Sequence, residues 1–177
     1  PFSNSNTITC LQGGVAPLTQ IGEYLDYVVE FENTGLAQVQ NAVIKFEINP
    51  VMFDANSMLI QESTTDNTYL RKNENVVEII LQQLNIDTGG HGNVLLKIKS
   101  QATLQEGDLV INVANIYFDY KAPIVTNEFE TVFKLLNNPS FPSDESITIS
   151  PNPTTSIINI NCNNTIKTVE LYDVQGR

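Results

Sequence analysis

The residues of this chain that could do acid–base or metal chemistry are few and widely spaced. The single histidine, His91, lies among glycines in the segment TGGHGN, and the two cysteines, Cys10 and Cys162, are far apart in the sequence. A catalytic base needs a neighbouring group that orients it, and a structural zinc ion needs four ligands. We therefore expect no catalytic residue and no zinc site, and we interpret His91 as the tip of a hairpin.

The two cysteines are also poor candidates for a disulfide. Their Cα atoms would have to approach within about 7 Å, and Cys10 and Cys162 fall in what we interpret below as different modules. A bridge would require those modules to pack together. We expect two small, unbridged strand residues.

Carboxylates are plentiful, because 20 acidic residues stand against 9 basic ones and give a formal net charge of −11. Two pairs, Glu30 with Glu32 and Glu128 with Glu130, fall on one face of a predicted strand. Paired carboxylates about 5–10 Å apart hydrolyse glycosides, but same-face acids two residues apart are typical of a solvated strand face. We prefer the second interpretation, since the chain has no Trp that would form a sugar platform.

Calcium is the metal ion that the acidic residues would suit best, because it takes oxygen ligands from loops. The aspartates at or near predicted turns are Asp54, Asp66, Asp87, Asp108 and Asp119. No segment has the regular D-x-D-x-D-G spacing, so we predict no cofactor and keep calcium as an alternative. We expect Asp119 to hold its loop by accepting backbone N–H groups.

Four tyrosines are candidates for contact with a carbohydrate or a protein, since amphipathic rings are enriched at interfaces. They are Tyr24, Tyr69, Tyr117 and Tyr120. Tyrosine is also an ordinary strand residue, and the structural interpretation carries more weight.

The composition excludes several classes of protein. A pI near 4.3 argues against a nucleic-acid binder, which needs a basic surface. No apolar run reaches the roughly 20 residues of a membrane-spanning helix. The first residues, PFSNSNTITC, lack the features of a signal peptide, so we expect the chain to be part of a longer one.

The elements that must position these side chains are short strands, because the apolar pattern has period two. In YLDYVVEFEN the alternate residues Leu25, Tyr27, Val29 and Phe31 are apolar, and in AVIKFEINP so are Ala42, Ile44, Phe46 and Ile48. Further strands are predicted at 57–63, 75–84, 92–100, 108–120 and 128–136, separated by turns rich in Gly, Asn and Asp. This spacing predicts an all-β fold, an antiparallel β-sandwich over residues 1–136, with a closed barrel as the alternative.

The composition changes after Leu136. The segment NNPSFPSDES predicts an exposed linker over 137–146, and ITIS, SIINI and TVELYDV predict three further short strands in residues 147–177. Three such strands form only a small sheet. Residues 1–136 carry a formal charge of −9, because the remainder holds four acidic and two basic residues.

The tail, ISPNPTTSIINI followed by IKTVELYDVQGR, resembles the C-terminal sorting domain of proteins exported by the type IX secretion system of Bacteroidota. The resemblance implies a sorting motif at Pro151, Asn152, Pro153, Ile158, Ile160, Val169, Leu171, Tyr172, Asp173, Gly176 and Arg177. Members of that family continue with about another half-domain. We therefore expect residues 147–177 to be the first half of a sorting domain, too short to direct export alone.

The upstream module resembles an immunoglobulin-like repeat domain found just before such sorting domains in large surface proteins. The resemblance covers roughly residues 10–136 and is best at FENTG (31–35) and IYFD (116–119). It implies an immunoglobulin-like sandwich that acts as a spacer or an adhesion-type module.

The function expected from these resemblances is that of a non-catalytic stalk, spacer or interaction module of a secreted or outer-membrane cell-surface protein. The tail would be read by the type IX secretion machinery through strand pairing at an exposed edge. The alternative is an adhesin-type module that binds a surface glycan or protein through the sandwich loops, with calcium assisting.

Overall fold

The computed structural model covers the chain and describes residues 5–119, 121–135, 147–162, 165–173 and 175. The chain divides into two compact units, Pro1–Leu136 and Asn137–Arg177. The predicted linker over 137–146 lies outside the described residues, as do Tyr120, Gly176 and Arg177.

The described residues form fourteen strands and one short 3-10 turn at Leu18–Gln20. In chain order the strands are β1 (Thr7–Cys10), β2 (Val15–Pro17), β3 (Tyr24–Glu32), β4 (Ala42–Glu47), β5 (Phe53–Ser63), β6 (Thr68–Asn73), β7 (Val76–Leu81), β8 (His91–Ser100), β9 (Leu109–Asn112), β10 (Asn115–Phe118), β11 (Ile124–Val125), β12 (Phe129–Lys134), β13 (Ile147–Ser150) and β14 (Asn159–Cys162).

The first unit is an immunoglobulin-like β-sandwich. One sheet has the order β1-β3-β8-β5, the facing sheet has the order β11-β10-β4-β7-β6, and a smaller sheet has the order β2-β12-β9. All three sheets contribute side chains to a single hydrophobic core. The strands of the described part thus form separate sheets and not a closed barrel.

The alternation read from the sequence is confirmed in β3 and β4. The inward residues of β3 are buried, namely Leu25, Tyr27, Val29 and Phe31, and so are Ala42, Ile44, Phe46 and Ile48 in and after β4. Each of these strands therefore has one face in the core and one towards solvent, as period-two patterning requires.

The predicted strand over 108–120 is wrong as a single element. The chain forms β9, which pairs with β12 in the small sheet, and then β10, which pairs with β4 in the five-stranded sheet. The change of sheet lies at Val113 and Ala114, where the Ala114 N–H donates to the Thr126 hydroxyl at 3.0 Å. Apolar alternation continues through this bend, so the sequence pattern does not reveal it.

Other boundaries also differ from the predictions. Strand β7 ends at Leu81 and not at Leu84, because Gln83 and Asn85 adopt positive φ angles of 54° and 50°, which strand geometry does not allow.

The sandwich is not fully antiparallel, since β12 and β2 pair in parallel. Strands β1, β2, β6 and β11 had no predicted counterpart.

The second unit contains a two-stranded antiparallel sheet, β13 with β14. The predicted third strand, TVELYDV, is wrong for the part the structure describes, because residues 168–173 are not in a strand. Val169 and Leu171 are 53% and 76% exposed, so burial does not fix this segment against the hairpin.

Candidate functional site

His91 is the first residue of β8 and is exposed, so it lies at a strand end and not at a hairpin tip. Its register partner is Glu32 on β3. An open groove of about 370 Å³ beside it is lined by Ser5, Thr7, Glu30, Phe31, Thr64, His91, Gly92 and Asn93. The hydroxyls of this groove serve the fold, because Thr7 donates to Glu30 and Thr64 bonds to the backbone of Asn93.

The two predicted carboxylate pairs lie on different strands and both face outwards. On β3, Glu30 is exposed and Glu32 is half-buried, and Glu128 and Glu130 are exposed next to and within β12. This is the solvated-face arrangement that the sequence favoured.

The five aspartates considered for calcium are dispersed, and several have structural hydrogen bonds. Asp119 accepts the N–H groups of Asn41 at 2.9 Å and Gln40 at 3.3 Å, which confirms its expected role in holding a loop. Asp54 accepts the Asn56 N–H, and Asp108 accepts the Gln105 N–H. Among the described residues no group of three or more His, Cys, Asp or Glu side chains is placed to hold a metal ion.

The core contains an ionisable pair that the sequence did not single out. Tyr27 and Cys10 are register partners on β3 and β1, and the Tyr27 hydroxyl is buried with the Cys10 thiol, a weak acceptor, as its one polar neighbour among the described residues. Burial raises the pKa of Tyr27 strongly, and the Cys10 thiol adds to this effect. Cys10 is a free thiol whose Sγ lies 3.4 Å from the side-chain oxygen of Gln12.

The described candidate tyrosines are divided between the two sheets. Tyr24 lies on the outer face of the four-stranded sheet, where the ammonium groups of Lys97 and Lys99 lie 4.7 and 5.1 Å from the centre of its ring. Tyr69 and Tyr117 lie on β6 and β10 of the five-stranded sheet. The tyrosines therefore do not form one patch, and the face of Tyr24 is already covered by cations.

Tyr69 and Tyr117 are the ends of a row of four side chains that crosses the strands. The register places Tyr117 beside Val43, Val43 beside Ile80, and Ile80 beside Tyr69. We call these four residues the tyrosine row. Tyr69 is 54% exposed, and the other three are half-buried. Pairing across strands and not sequence spacing brings them together, so period-two reasoning did not find the row.

A second row lies two residues further along the same strands. It consists of Asn115, Lys45, Glu78 and Arg71, and we call it the polar row. Lys45 Nζ lies 2.9 Å from an oxygen of Glu47, and Arg71 Nε lies 2.6 Å from an oxygen of Glu78. The hydrogen bond to Glu47 raises the pKa of Lys45. Both cations of the row are thus neutralised by neighbouring carboxylates.

A shallow concavity of about 360 Å³ lies over part of each row, and its lining does not include Tyr69, Ile80 or Asn115. Its lining consists of Val43, Lys45, Arg71, Glu78, Tyr117 and Asp119. Apolar and aromatic surface thus lies directly beside hydrogen-bonding groups, which is the composition of a binding site for a small polar ligand.

The described part of the sorting motif is exposed except for Ile160, which is half-buried. Pro151, Asn152 and Pro153 lie in the connection between β13 and β14, which falls between the first two strands predicted for this unit, ITIS and SIINI. One face of this hairpin carries Ile149 opposite Ile160, with Ile147 beside them. Tyr172 donates to Glu170, and Asp173 accepts the Gln175 N–H. Gly176 and Arg177 lie outside the described residues, so the motif stays a prediction at the level of individual residues.

Comparisons with known proteins agree with this division of the chain. The family described as Domain of unknown function (DUF7619) matches residues 4–132, and the family described as Secretion system C-terminal sorting domain matches residues 148–177. None of the curated proteins matches the chain. Among the described residues, no helix has the length and apolar character to span a membrane.

Solved structures with the same fold come from bacterial surface proteins. The N-terminal domain of the Streptococcus gordonii adhesin Sgo0707 is similar at a TM-score of 0.55 and 11% identity, over 75% of this chain and 33% of that one. Domains D2 and D3 of the major pilin SpaD from Corynebacterium diphtheriae are similar at 0.52 and 13%, over 72% of this chain and 52% of that one.

The chain spans between a third and about half of the length of these two structures, and at such identities the likeness concerns the fold alone. A sorting domain of the matched kind marks its protein for type IX secretion and surface attachment. The chain therefore belongs to the family described as a domain of unknown function (DUF7619), here followed by a secretion-system sorting domain.

Proposed function

We propose that residues 1–136 form a non-catalytic spacer or interaction module, and that residues 147–177, as the first part of a sorting domain, contribute to directing the parent protein to the type IX secretion machinery. The observation that carries this proposal is the match of residues 148–177 to the sorting-domain family, next to a compact sandwich. A sandwich of this kind would hold other domains of the parent away from the membrane.

The hairpin of the second unit offers a mechanism for recognition. The outer edge of β13 has no strand partner within the described residues, and an exposed strand edge pairs readily with a strand of another protein. The isoleucine face formed by Ile147, Ile149 and Ile160 would add apolar contact. The secretion machinery would then recognise both backbone and side chains of the tail.

The experiment changes the motif in the parent protein and measures export by cell fractionation. Replacing Pro151 and Pro153 by Ala should retain the protein in the periplasm. The matched control replaces Thr148 and Asn161, an exposed cross-strand pair on the same hairpin, and should be exported normally. Surface delivery of the Pro151→Ala, Pro153→Ala protein at the wild-type level would refute the role of this motif.

A second candidate function is an adhesin-type binding module. The tyrosine row and polar row favour it, because they combine accessible aromatic rings with hydrogen-bonding groups. The site would then lie on a sheet face and not in the sandwich loops, where the sequence suggested it.

A further inference from the structure

The tyrosine row has the dimensions of a site for an extended ligand that crosses the strands. Its two rings lie on strands separated by three inter-strand spacings, a span of about 14 Å. Val43 and Ile80 form the floor between the rings. Several linked sugar rings would cover this span, with one sugar on each tyrosine.

The polar groups beside the tyrosine row can hydrogen-bond to the hydroxyls along one side of a sugar chain. A pyranose ring has an apolar C–H face that packs on an aromatic ring, while its hydroxyls need donors and acceptors placed to one side. The polar row supplies both, because Asn115 and Arg71 donate and Glu78 accepts. The two rows run parallel across the same four strands, so a chain lying on the rings would present its hydroxyls to the polar row along its length.

The charge distribution selects a neutral ligand. Residues 1–136 carry a formal charge of −9, which repels a polyanion. The cations of the polar row are already paired with carboxylates at 2.9 and 2.6 Å. A uronic acid or sulfated polymer would therefore find no free positive charge in this row.

The size of the surface distinguishes a sugar chain from a second copy of this protein. The two rows cover on the order of 200 Å², whereas a stable protein interface buries about 800 Å² on each partner. Small ligands, by contrast, bind to surfaces of this size when aromatic and polar groups converge.

We propose that the outer face of the five-stranded sheet binds a neutral oligosaccharide, which stacks on Tyr117 and Tyr69 and hydrogen-bonds to Asn115, Glu78 and Arg71. This site deepens the interaction role proposed above and is independent of the sorting role. If the chain binds no oligosaccharide, the proposed role of the tail in export is not affected.

The test is isothermal titration calorimetry with the purified 177-residue chain and neutral cello-, xylo-, manno- and malto-oligosaccharides of increasing length, with polygalacturonate as the anionic comparison. Binding should appear in one neutral series and strengthen with chain length until the span between the rings is covered. Tyr69→Ala and Tyr117→Ala should each weaken binding about tenfold. Tyr117→Phe should bind nearly as well as the wild type, since it keeps the ring.

Tyr24→Ala is the matched control, because this tyrosine lies on the other sheet with lysines over its ring, and it should leave affinity unchanged. Equal thermal midpoints would show that the variants are folded. The proposal would be overturned by no binding to any neutral series, by stronger binding to polygalacturonate, or by affinity indifferent to both ring deletions. Sedimentation that shows a dimer, dissociated by Tyr117→Ala without any sugar binding, would overturn it in favour of self-association.

Discussion

Tyr27 is a residue whose polar group is poorly matched to its surroundings, since its hydroxyl is buried and has only the weakly accepting Cys10 thiol beside it among the described residues. A buried polar group of this kind costs free energy that an apolar group of the same shape does not. Tyr27→Phe should therefore raise the free energy of unfolding by about 1 kcal/mol, measured by urea denaturation at neutral pH. The partly exposed Tyr117→Phe should cause no change, and a loss of stability in Tyr27→Phe would contradict this account.

The same residue predicts an alkaline dependence of stability. Burial raises the pKa of Tyr27 in the folded state above its unfolded value of about 10. Above pH 10 the Tyr27 hydroxyl ionises in the unfolded state before it ionises in the folded state. The free energy of unfolding is therefore unaffected by this group below pH 10 and falls as the pH rises above it. In urea denaturation between pH 8 and 11, the wild type should lose more stability than Tyr27→Phe. Parallel curves for the two proteins would show that Tyr27 ionises as easily in the fold as outside it.

Asp119 holds its loop by accepting backbone N–H groups, as the sequence predicts. It has a φ of 49°, and its carboxylate accepts the N–H of Asn41 at 2.9 Å. Asp119→Ala should lower the free energy of unfolding by about 2 kcal/mol, because it loses this bond and places an alanine in the left-handed region. Asp119→Asn keeps a side-chain oxygen and tolerates that region, so it should cost less than half as much. Equal losses in the two variants, measured by thermal or urea unfolding, would refute the role of the Asp119 side-chain oxygen in holding this loop.

At the residue scale, the sequence located groups whose role is local and missed those whose role depends on pairing. Asp119 was identified because a carboxylate after a strand commonly accepts nearby N–H groups. Tyr69 and Tyr117 were named as candidates, but their common face is set by the register of β10, β4, β7 and β6. No local pattern carries that information.

At the scale of elements, period-two alternation predicted the central strands well. It succeeded for β3 and β4 because each buries one face in the sandwich. It failed at the change of sheet between β9 and β10, where the alternation continues although the chain bends. Edge strands such as β6, whose residues are mostly exposed, lack the apolar face on which the prediction depends.

Close packing between β3 and β8 gives a prediction for an element. A Cβ atom added at Gly92 would collide with Cε2 and Cζ of Phe31, whose ring packs edge-on against Phe118 with centroids 5.9 Å apart. Gly92→Ala should therefore lower the free energy of unfolding by about 2 kcal/mol. Gly14→Ala is the control, because its Cβ would meet only the Glu130 carbonyl at 3.6 Å. Comparable stability of the two variants in urea unfolding would show that Phe31 moves away freely.

At the scale of the whole molecule, the family resemblances predicted the location of the protein, which the patterns of single strands could not predict. Alternation and composition predicted a sandwich followed by a separate small module, but a destination outside the cell came from the ordered motif of the tail. The assignment to Bacteroidota stays a prediction, and so does every partner other than the secretion machinery.

The central claim is that the tail places the sandwich outside the cell, and surface labelling of intact cells tests it most directly. A short epitope inserted beside Leu36, which is 99% exposed in the loop after β3, would mark the sandwich within the parent protein. Antibody should label intact cells or the medium when residues 147–177 are present, and should reach the protein only in lysed cells when they are deleted. Equal labelling of the surface or medium with and without residues 147–177 would contradict the account.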